Sequence, residues 1–219
     1  MSCRKSVRHF GAALGIHDGF LGAASSEALR GHALGCVYQD TVHEGKVYSG
    51  VSDTTGTEIE ATLSLAIAGV RAAAVTPITS FFRLAGEDIS TGQGSAFRVH
   101  TDQGIAAWTC VYYLAPPGLE RGGTAFWSPL GGGPVSEDGY TDPLLWRRDM
   151  VVSMAFDRAV IFRAAWAHSA DPLRGWGRSP EEARLAWCCF FDHPHHSHHP
   201  HEAPIPEQPE QQVWGGPKG

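Results

Sequence analysis

The hydrophobic pattern divides the chain into a first part with helical periodicity and a second part with the pattern of strands. In the first part, apolar residues recur at helical spacing over 25–35 and 55–74. The first segment begins with two serines and ends at Gly35, and the second has Thr57 at the N-cap position, with acidic residues following it. We therefore predict that the first 75 residues are mostly helical and that these helices pack on a sheet.

From Ile78 onwards the chain consists of short segments rich in β-branched and aromatic residues, separated by glycines and prolines. No helical periodicity lies between them, which favours an antiparallel sandwich or jelly roll. Alternation in the last segment puts Arg184, Ala186 and Cys188 on one face. We expect that face to line the interior, because Arg184 needs a buried partner. The predicted strands are 78–85, 96–100, 105–115, 123–127, 149–156, 159–165 and 184–192.

Two stretches show neither periodicity. The glycine-rich stretch 129–143 predicts a long loop, and long loops in a compact domain are often functional lids. The stretch 193–219 is rich in histidine, proline, glutamine and glutamate, which predicts a disordered tail. Residues 1–192 then form one domain, with helical support over about 20–75 and a β core over about 78–192.

Composition and charge exclude several classes of protein. The chain has 219 residues, of which 42% are hydrophobic, and a formal net charge of −6. These are values of a globular protein, and a negative charge without a long Lys/Arg run argues against nucleic acid as a partner. Five cysteines form no CxxC pair, and we identify neither a signal peptide nor a membrane span. We expect a cytoplasmic protein with reduced thiols and no membrane partner.

The most informative polar pair is His100 and Asp102, in the segment FRVHTDQG (97–104). Residues two apart on an extended strand project to the same face, so this imidazole and this carboxylate can bind one cation together. The spacing alone also fits a polar patch where a strand enters a turn. A further histidine, His168, follows the predicted strand 159–165 and supplies a second imidazole.

Two histidines and one carboxylate on one face of an octahedron leave three positions open, which is the arrangement of non-haem Fe(II) oxygenases. A chelating cosubstrate takes two of those positions, and O2 takes the third. Sulfur ligands are absent from the set, which argues against a structural zinc site. His168 taken alone also fits a histidine whose hydrogen bonds are satisfied at the end of a strand.

An oxygenase of this kind needs a cation for the distal carboxylate of its cosubstrate. Arginine suits that role because its planar guanidinium forms two parallel hydrogen bonds to a carboxylate. Arg174, Arg178 and Arg184 follow His168 in the sequence. Arg184 begins the last predicted strand and is our first choice. Arg178, in GWGRSP, has the surroundings of a solvated loop residue and is the alternative.

With these residues assembled, the chain resembles the Fe(II)/2-oxoglutarate-dependent oxygenases, specifically the prolyl-4-hydroxylase-like branch. The similarity runs from about Ile16 to Asp192, nearly all of the predicted folded part. Each motif is short, and their combination makes the resemblance specific. The motifs are HDGFL (17–21), RVHTD (98–102), VYYLAPPGLERGGTAFW (111–127), FDRAVIFRAAWAHS (156–169) and RLAWCCFFD (184–192).

The resemblance implies a mostly β fold with N-terminal helices: a double-stranded β-helix of jelly-roll or cupin type, buttressed by helices. It implies Fe(II) bound by His100, Asp102 and His168, O2 as the oxidant and ascorbate as an optional reductant. It also implies 2-oxoglutarate bound by Arg184 or, at the spacing more frequent in the family, by Arg178. Relatives that halogenate have Gly or Ala in place of this aspartate, so its presence favours hydroxylation or a related oxidation.

One departure from the family concerns the cosubstrate site. The segment FRLAGE (82–87) lacks the tyrosine with which many relatives bind 2-oxoglutarate. Thr109, Tyr112 and Tyr113, on the predicted strand 105–115, are the candidates to replace it. The implied reaction is oxidation of a C–H bond of a small molecule, an amino acid or a peptidyl substrate, with release of succinate and CO2. The compact size favours a small molecule.

Two other functions stay open. Arg178 and Arg184 form R-x5-R, a spacing found in the nucleic-acid demethylase branch of the same superfamily. The negative net charge and the short distance in sequence from His168 to Arg178 weigh against that reading. The other alternative is a non-catalytic β-sandwich whose HxD motif is coincidental. Its histidine-rich tail would then be the metal-chelating element.

Overall fold

The chain forms two antiparallel sheets with helices on one side. The computed structural model describes residues 6–10, 13–43, 46–87, 99–131, 142–173 and 175–194. The two helices of these ranges are α1 (Ala23–Leu34) and α2 (Glu58–Arg71), and a 3-10 turn spans Pro143–Leu145. The strands are β1 (Ser6–Phe10), β2 (Leu14–Asp18), β3 (Gln39–His43), β4 (Lys46–Asp53), β5 (Thr76–Ala85), β6 (Trp108–Tyr113), β7 (Gly123–Pro129), β8 (Trp146–Ser153), β9 (Arg158–Arg163), β10 (His168–Asp171) and β11 (Arg184–Asp192).

The strand order is that of a double-stranded β-helix. The large sheet has the order β1-β2-β9-β6-β11-β5-β4-β3, and the small sheet has the order β10-β7-β8. An isolated bridge between His100 and His168 adds the segment around residue 100 to the small sheet, next to β10. From β5 onwards the chain therefore passes repeatedly between the two sheets, and every pairing is antiparallel. This confirms the predicted jelly-roll class.

Alternation along β6 and β11 separates the interior into two apolar clusters. One cluster lies between the large sheet and the helices, and the other lies between the two sheets. Ala186 and Cys188 belong to the inter-sheet cluster, as the predicted alternation requires. The helix-side cluster receives from β6 and β11 the side chains of Trp108, Cys110, Tyr112, Leu185, Trp187, Cys189 and Phe191.

The helix ends show which parts of the local pattern determine the structure. The Thr57 side chain accepts a hydrogen bond from the Glu60 backbone N–H, so the predicted N-cap of α2 is confirmed. Helix α1 ends at Gly35, as predicted, but it begins at Ala23 and not at the serines. Ser26 instead lies inside the helix, with its hydroxyl 2.6 Å from that of Tyr112.

The expectation that the first 75 residues are mostly helical is wrong. Four strands lie in that part of the chain, and they extend the large sheet at both edges. Strand β2 pairs with β9, and β4 pairs with β5. These pairings are contacts between residues distant in sequence, and a local pattern does not reveal such partners.

Several predicted segments fall wholly or partly outside the described residues. Of the predicted loop 129–143, residues 132–141 are not described, and of the predicted strand 96–100 only the last two residues are. The predicted tail is described only to Pro194. Neither described helix has the length and apolar composition that a bilayer-crossing helix requires. The division into one domain and a tail stays a prediction.

Candidate metal centre

The three residues of the proposed ligand set come together where the chain segment 99–102 meets β10. The His100 N–H donates to the His168 carbonyl at 2.9 Å, and the His168 N–H donates to the His100 carbonyl at 2.8 Å. The Asp102 N–H donates to the Ala164 carbonyl at 2.8 Å. These backbone bonds fix the segment beside β10, so side chains from two distant parts of the sequence project to one place.

The distances between the side chains fit a single bound cation. His168 Nε2 lies 3.3 Å from Asp102 Oδ2, and His100 Nε2 lies 3.7 Å from Asp102 Oδ1. One ligand atom from each residue lies within 4.8 Å of the other two. Metal–ligand bonds near 2 Å place ligand atoms about 3 Å apart, and the observed separations need only small side-chain adjustments to reach that value. Among the residues that the structure describes, His100, Asp102 and His168 form the one group of metal-ligating side chains whose ligand atoms lie this close together.

The orientation of the His168 ring leaves Nε2 available as a ligand. Its Nδ1 lies 2.9 Å from the Trp166 carbonyl oxygen. A carbonyl oxygen can only accept, so the proton of the neutral ring resides on Nδ1 and the lone pair on Nε2. Metal-ligating histidines generally make such a hydrogen bond through the ring nitrogen that does not bind the metal.

Asp102 is buried but anionic. Asp102 is 5% exposed, and its Oδ2 accepts a hydrogen bond of 2.8 Å from the Thr109 hydroxyl. Burial by itself raises the pKa of this carboxyl. Hydrogen bonding and charge from His168 and the charge of His100, which act while these imidazoles are protonated, and the Thr109 hydrogen bond lower the pKa below its usual range. A cation therefore finds a negative charge here at neutral pH.

The cluster is accessible from one side. The side chains of His168 and Asp102 are 7% and 6% exposed, whereas that of His100 is 42% exposed. Phe126 and Phe162 pack against the His168 ring from the interior, with ring centroids 6.5 and 4.7 Å away. Within the part of the chain that the structure describes, His100 is therefore the exposed side of the cluster, from which a molecule in solvent can approach.

Arg184 lies in the interior between the two sheets, on the same face of β11 as Ala186. Its Nη2 donates to the Gly123 carbonyl at 3.4 Å, and its guanidinium carbon is 6.0 Å from the centre of the Tyr113 ring. The Tyr113 hydroxyl is 2.6 Å from the Thr124 hydroxyl. Arg184 is 7% exposed and its Nε has no hydrogen-bond partner, nor does any described carboxylate form an ion pair with it. A buried guanidinium with an unused donor fits an anionic ligand.

Two predicted cosubstrate residues lie elsewhere. Tyr112 points to the helix side, where its hydroxyl contacts Ser26 and donates to Asp157, so it does not reach the interior between the sheets. The reason is the alternation of β6, in which Tyr112 and Tyr113 point to opposite faces. The Arg178 side chain is 87% exposed, with its Nε 3.5 Å from the Glu87 carboxylate. Its surroundings are those of the solvated loop residue that the sequence favoured.

The role of the Gly-Gly pair before β7 was not evident from the sequence. Gly122 has a φ of 66°, and a Cβ there would collide with the Asp171 carbonyl. A Cβ on Gly123 would collide with the Val152 carbonyl. The two glycines thus allow β7 to fit between β8 and β10, which places Thr124 beside Tyr113. The letters GGT were a usable signal, because adjacent glycines before a strand indicate close backbone approach.

Comparisons with known proteins bear on the fold. No family model matches the sequence, and no curated protein matches it. The structure is similar to that of SnoN, a non-heme alpha ketoglutarate dependent epimerase from nogalamycin biosynthesis, with a TM-score of 0.56 at 15% identity over 90% of this chain and 91% of that one. The structure is also similar to that of the carbocyclase SnoK from the same biosynthesis. The TM-score is 0.53 at 15% identity, over 82% of this chain and 79% of that one.

A third similar structure is HygX from Streptomyces hygroscopicus with nickel and 2-oxoglutarate bound. It gives a TM-score of 0.51 at 13% identity over 84% of each chain. At such identities the likeness concerns the fold. The chain therefore has the jelly-roll fold of these three structures, of which SnoN and SnoK are alpha ketoglutarate dependent.

Proposed function

We propose that this protein is an Fe(II)- and 2-oxoglutarate-dependent oxygenase that oxidises a C–H bond of a small molecule. The observation that supports this most directly is the convergence of His100, Asp102 and His168 at one accessible point. Arg184, buried between the same two sheets, supplies the second feature that such chemistry requires. The fold shared with SnoN and HygX agrees with the proposal.

The donor set fits iron. Two imidazole nitrogens and one carboxylate oxygen form the facial arrangement of non-haem Fe(II) sites, with no sulfur among them. Bound iron, together with 2-oxoglutarate and O2, would supply an oxidant strong enough to attack an unactivated C–H bond, with release of succinate and CO2. The protein's part is to hold His168 in one tautomer and to keep Asp102 ionised.

The interior beside Arg184 fits the distal carboxylate of 2-oxoglutarate. The guanidinium supplies a charge and an unused Nε donor, and the hydroxyls of Tyr113 and Thr124 lie next to it. The surrounding side chains are apolar, including Val111 and Ala186. Exclusion of water by these side chains strengthens the attraction between the guanidinium and a carboxylate.

The class of substrate is part of the proposal. SnoN has been crystallised with nogalamycin RO, and HygX with hygromycin B. These are small molecules, and we propose a small molecule here too, entering beside His100. The carboxylate at position 102 favours hydroxylation over halogenation, and the prolyl-4-hydroxylase-like branch stays our hypothesis. Free thiols at each described cysteine are in keeping with a reducing compartment such as the cytoplasm.

The test is anaerobic addition of Fe(II) and 2-oxoglutarate, followed by exposure to O2 with a panel of small molecules. We expect a weak visible charge-transfer band and then release of succinate. His100→Ala, Asp102→Ala and His168→Ala should each abolish both signals. Asp149→Ala, which removes an exposed carboxylate on β8, is the matched control and should leave both unchanged. Full activity in any ligand variant, or no band with the native chain, would contradict the proposal.

A further inference from the structure

Thr109 is a buried hydroxyl with a specific partner at the candidate metal centre. It is 2% exposed and lies on β6, in the middle of the large sheet, where it pairs with Phe162 of β9 and Phe190 of β11. Its Oγ1 donates to Asp102 Oδ2 at 2.8 Å. This bond crosses from the large sheet to the segment beside the small sheet, so a rigid strand holds one oxygen of the carboxylate.

The rest of Asp102 is already fixed by its backbone. Its N–H donates to the Ala164 carbonyl, and its own carbonyl accepts from the N–H groups of Ile105 and Ala106. The rotation of the carboxylate about its side-chain bonds is what these contacts leave free. Thr109 restricts that rotation, because its single hydroxyl proton is directed to Oδ2.

The two carboxylate oxygens therefore have different surroundings. Oδ2 accepts the Thr109 hydrogen bond and lies 3.3 Å from His168 Nε2, whereas Oδ1 faces His100 Nε2 at 3.7 Å. The Thr109 hydrogen bond uses one lone pair of Oδ2 and does not involve Oδ1. Oδ1 thus keeps more lone-pair capacity for a metal than Oδ2.

We propose that Thr109 is a positioning residue that makes Asp102 a one-oxygen ligand; this inference rests on the proposed function. Coordination by both oxygens would occupy a fourth position on an octahedral metal. Only two positions would then remain, and a chelating cosubstrate would take both of them. By holding Oδ2, Thr109 preserves the position at which O2 has to bind. This role differs from the cosubstrate contact expected from the sequence.

The experiment compares Thr109→Val, which keeps the shape and removes the donor, with Thr109→Ser, which keeps the donor. Thr54→Val is the matched control, because Thr54 is also a buried threonine but its hydroxyl contacts Ser80 and Trp187, away from the candidate site. Calorimetry with Co(II) measures the affinity of the metal-free protein. Nitric oxide added to the Fe(II) and 2-oxoglutarate complex, read by electron paramagnetic resonance, measures access to the remaining position.

We expect Thr109→Val to weaken Co(II) binding by about 10- to 100-fold and to weaken nitric oxide binding. Thr109→Ser should restore both, and Thr54→Val should leave both unchanged. Native Co(II) and nitric oxide affinities in Thr109→Val would overturn the inference. A weaker 2-oxoglutarate affinity alone would also overturn it, since Thr109 would then be a cosubstrate ligand. Thr109→Ala replaces the valine variant if that variant does not fold.

Failure of the proposed function is a separate result. If the native chain binds Co(II) but shows no metal-dependent binding of 2-oxoglutarate, the oxygenase proposal fails. The Co(II) affinities of the native, valine and serine proteins then still decide whether Thr109 orients Asp102.

Discussion

The Tyr112 hydroxyl donates a hydrogen bond of 3.0 Å to the Asp157 carboxylate on the helix side of the large sheet. The same carboxylate accepts from the backbone N–H groups of Leu21 and Gly22, at 2.9 and 3.0 Å, just before α1 begins. Asp157 has a φ of 62° and is 2% exposed. One residue in the turn between β8 and β9 therefore fixes the start of a helix far away in sequence.

Asp157→Ala should lower the free energy of unfolding by about 2–4 kcal/mol, because one buried and two partly buried donors lose their acceptor. Asp157→Asn should cost less, since it keeps one acceptor and tolerates a positive φ. Urea denaturation followed by circular dichroism measures both. Asp149→Ala removes an exposed carboxylate and should stay within about 0.5 kcal/mol of the native value. If Asp157→Ala lowered the free energy of unfolding by only about 0.5 kcal/mol, the role given to Asp157 would be contradicted.

Substitution of Gly122 by alanine should prevent folding or lower the melting temperature severely. Its φ is positive, and the new Cβ would overlap the Asp171 carbonyl, which is backbone and cannot move aside. Gly69→Ala is the matched control: a Cβ in α2 meets open space and should stabilise the helix by about 0.5–1 kcal/mol. Thermal unfolding of the two variants should shift in opposite directions. Equal shifts would show that β7 is not packed as described.

Arg184→Ala should raise the Michaelis constant for 2-oxoglutarate by about 100-fold, since it removes a charge-assisted pair in a dry interior. Arg184→Lys should recover part of the loss, because an ammonium keeps the charge without the two parallel donors. Arg178→Ala, at an 87% exposed side chain, should change the constant less than about twofold. Succinate release at varied 2-oxoglutarate gives the three values, and a reversed order would move the cosubstrate to Arg178.

The Cys188 thiol should react slowly with iodoacetamide at pH 8. Burial raises its pKa to about 11, against the opposing charges of Arg184 and Arg83. The thiolate is the reacting form, so at pH 8 only about 0.1% of this thiol is reactive, and the rate should rise about tenfold per pH unit up to pH 10. Mass mapping of the native protein, with glutathione as the reference thiol in the same tube, measures the rate. A rate equal to that of glutathione would contradict the raised pKa of this partly buried thiol.

Removal of residues 195–219 should leave turnover and iron content unchanged, because every group of the candidate site lies between His100 and Arg184. The cut follows Pro194, which retains His193 and the contact of its Nδ1 with the Ala74 carbonyl at 2.8 Å. Metal analysis and succinate release compare the shortened and full chains. Loss of bound iron on shortening would favour a chelating tail over the centre at His100.

The parts of the fold that the sequence predicted are those that local chemistry determines. The N-cap at Thr57, the helix end at Gly35 and the alternation of β11 depend on neighbours a few residues away. Strands β1 to β4 did not follow from the pattern, because β2 and β4 join the sheet by pairing with β9 and β5, and β1 and β3 pair with them in turn. The hydrophobic periodicity of a segment does not show which distant segment it will pair with.

The candidate site shows the same division. His100 and Asp102 were paired by spacing. His168 was added because it follows a predicted strand and supplies a second imidazole, and the three lie close together in the structure. Thr109 and Tyr112 were assigned to the cosubstrate only because both lie on one strand. A shift of one residue along a strand reverses the face, so the choice between Tyr112 and Tyr113 needed the positions of the helices and the second sheet.

The paired backbone hydrogen bonds between His100 and His168 have a consequence for the proposed metal centre. The polypeptide backbone makes these bonds, so they bring the two residues side by side without help from a side chain. A metal bound as we propose would therefore have to order side chains and not backbone, and little of its binding free energy would be offset by the cost of bringing distant segments together.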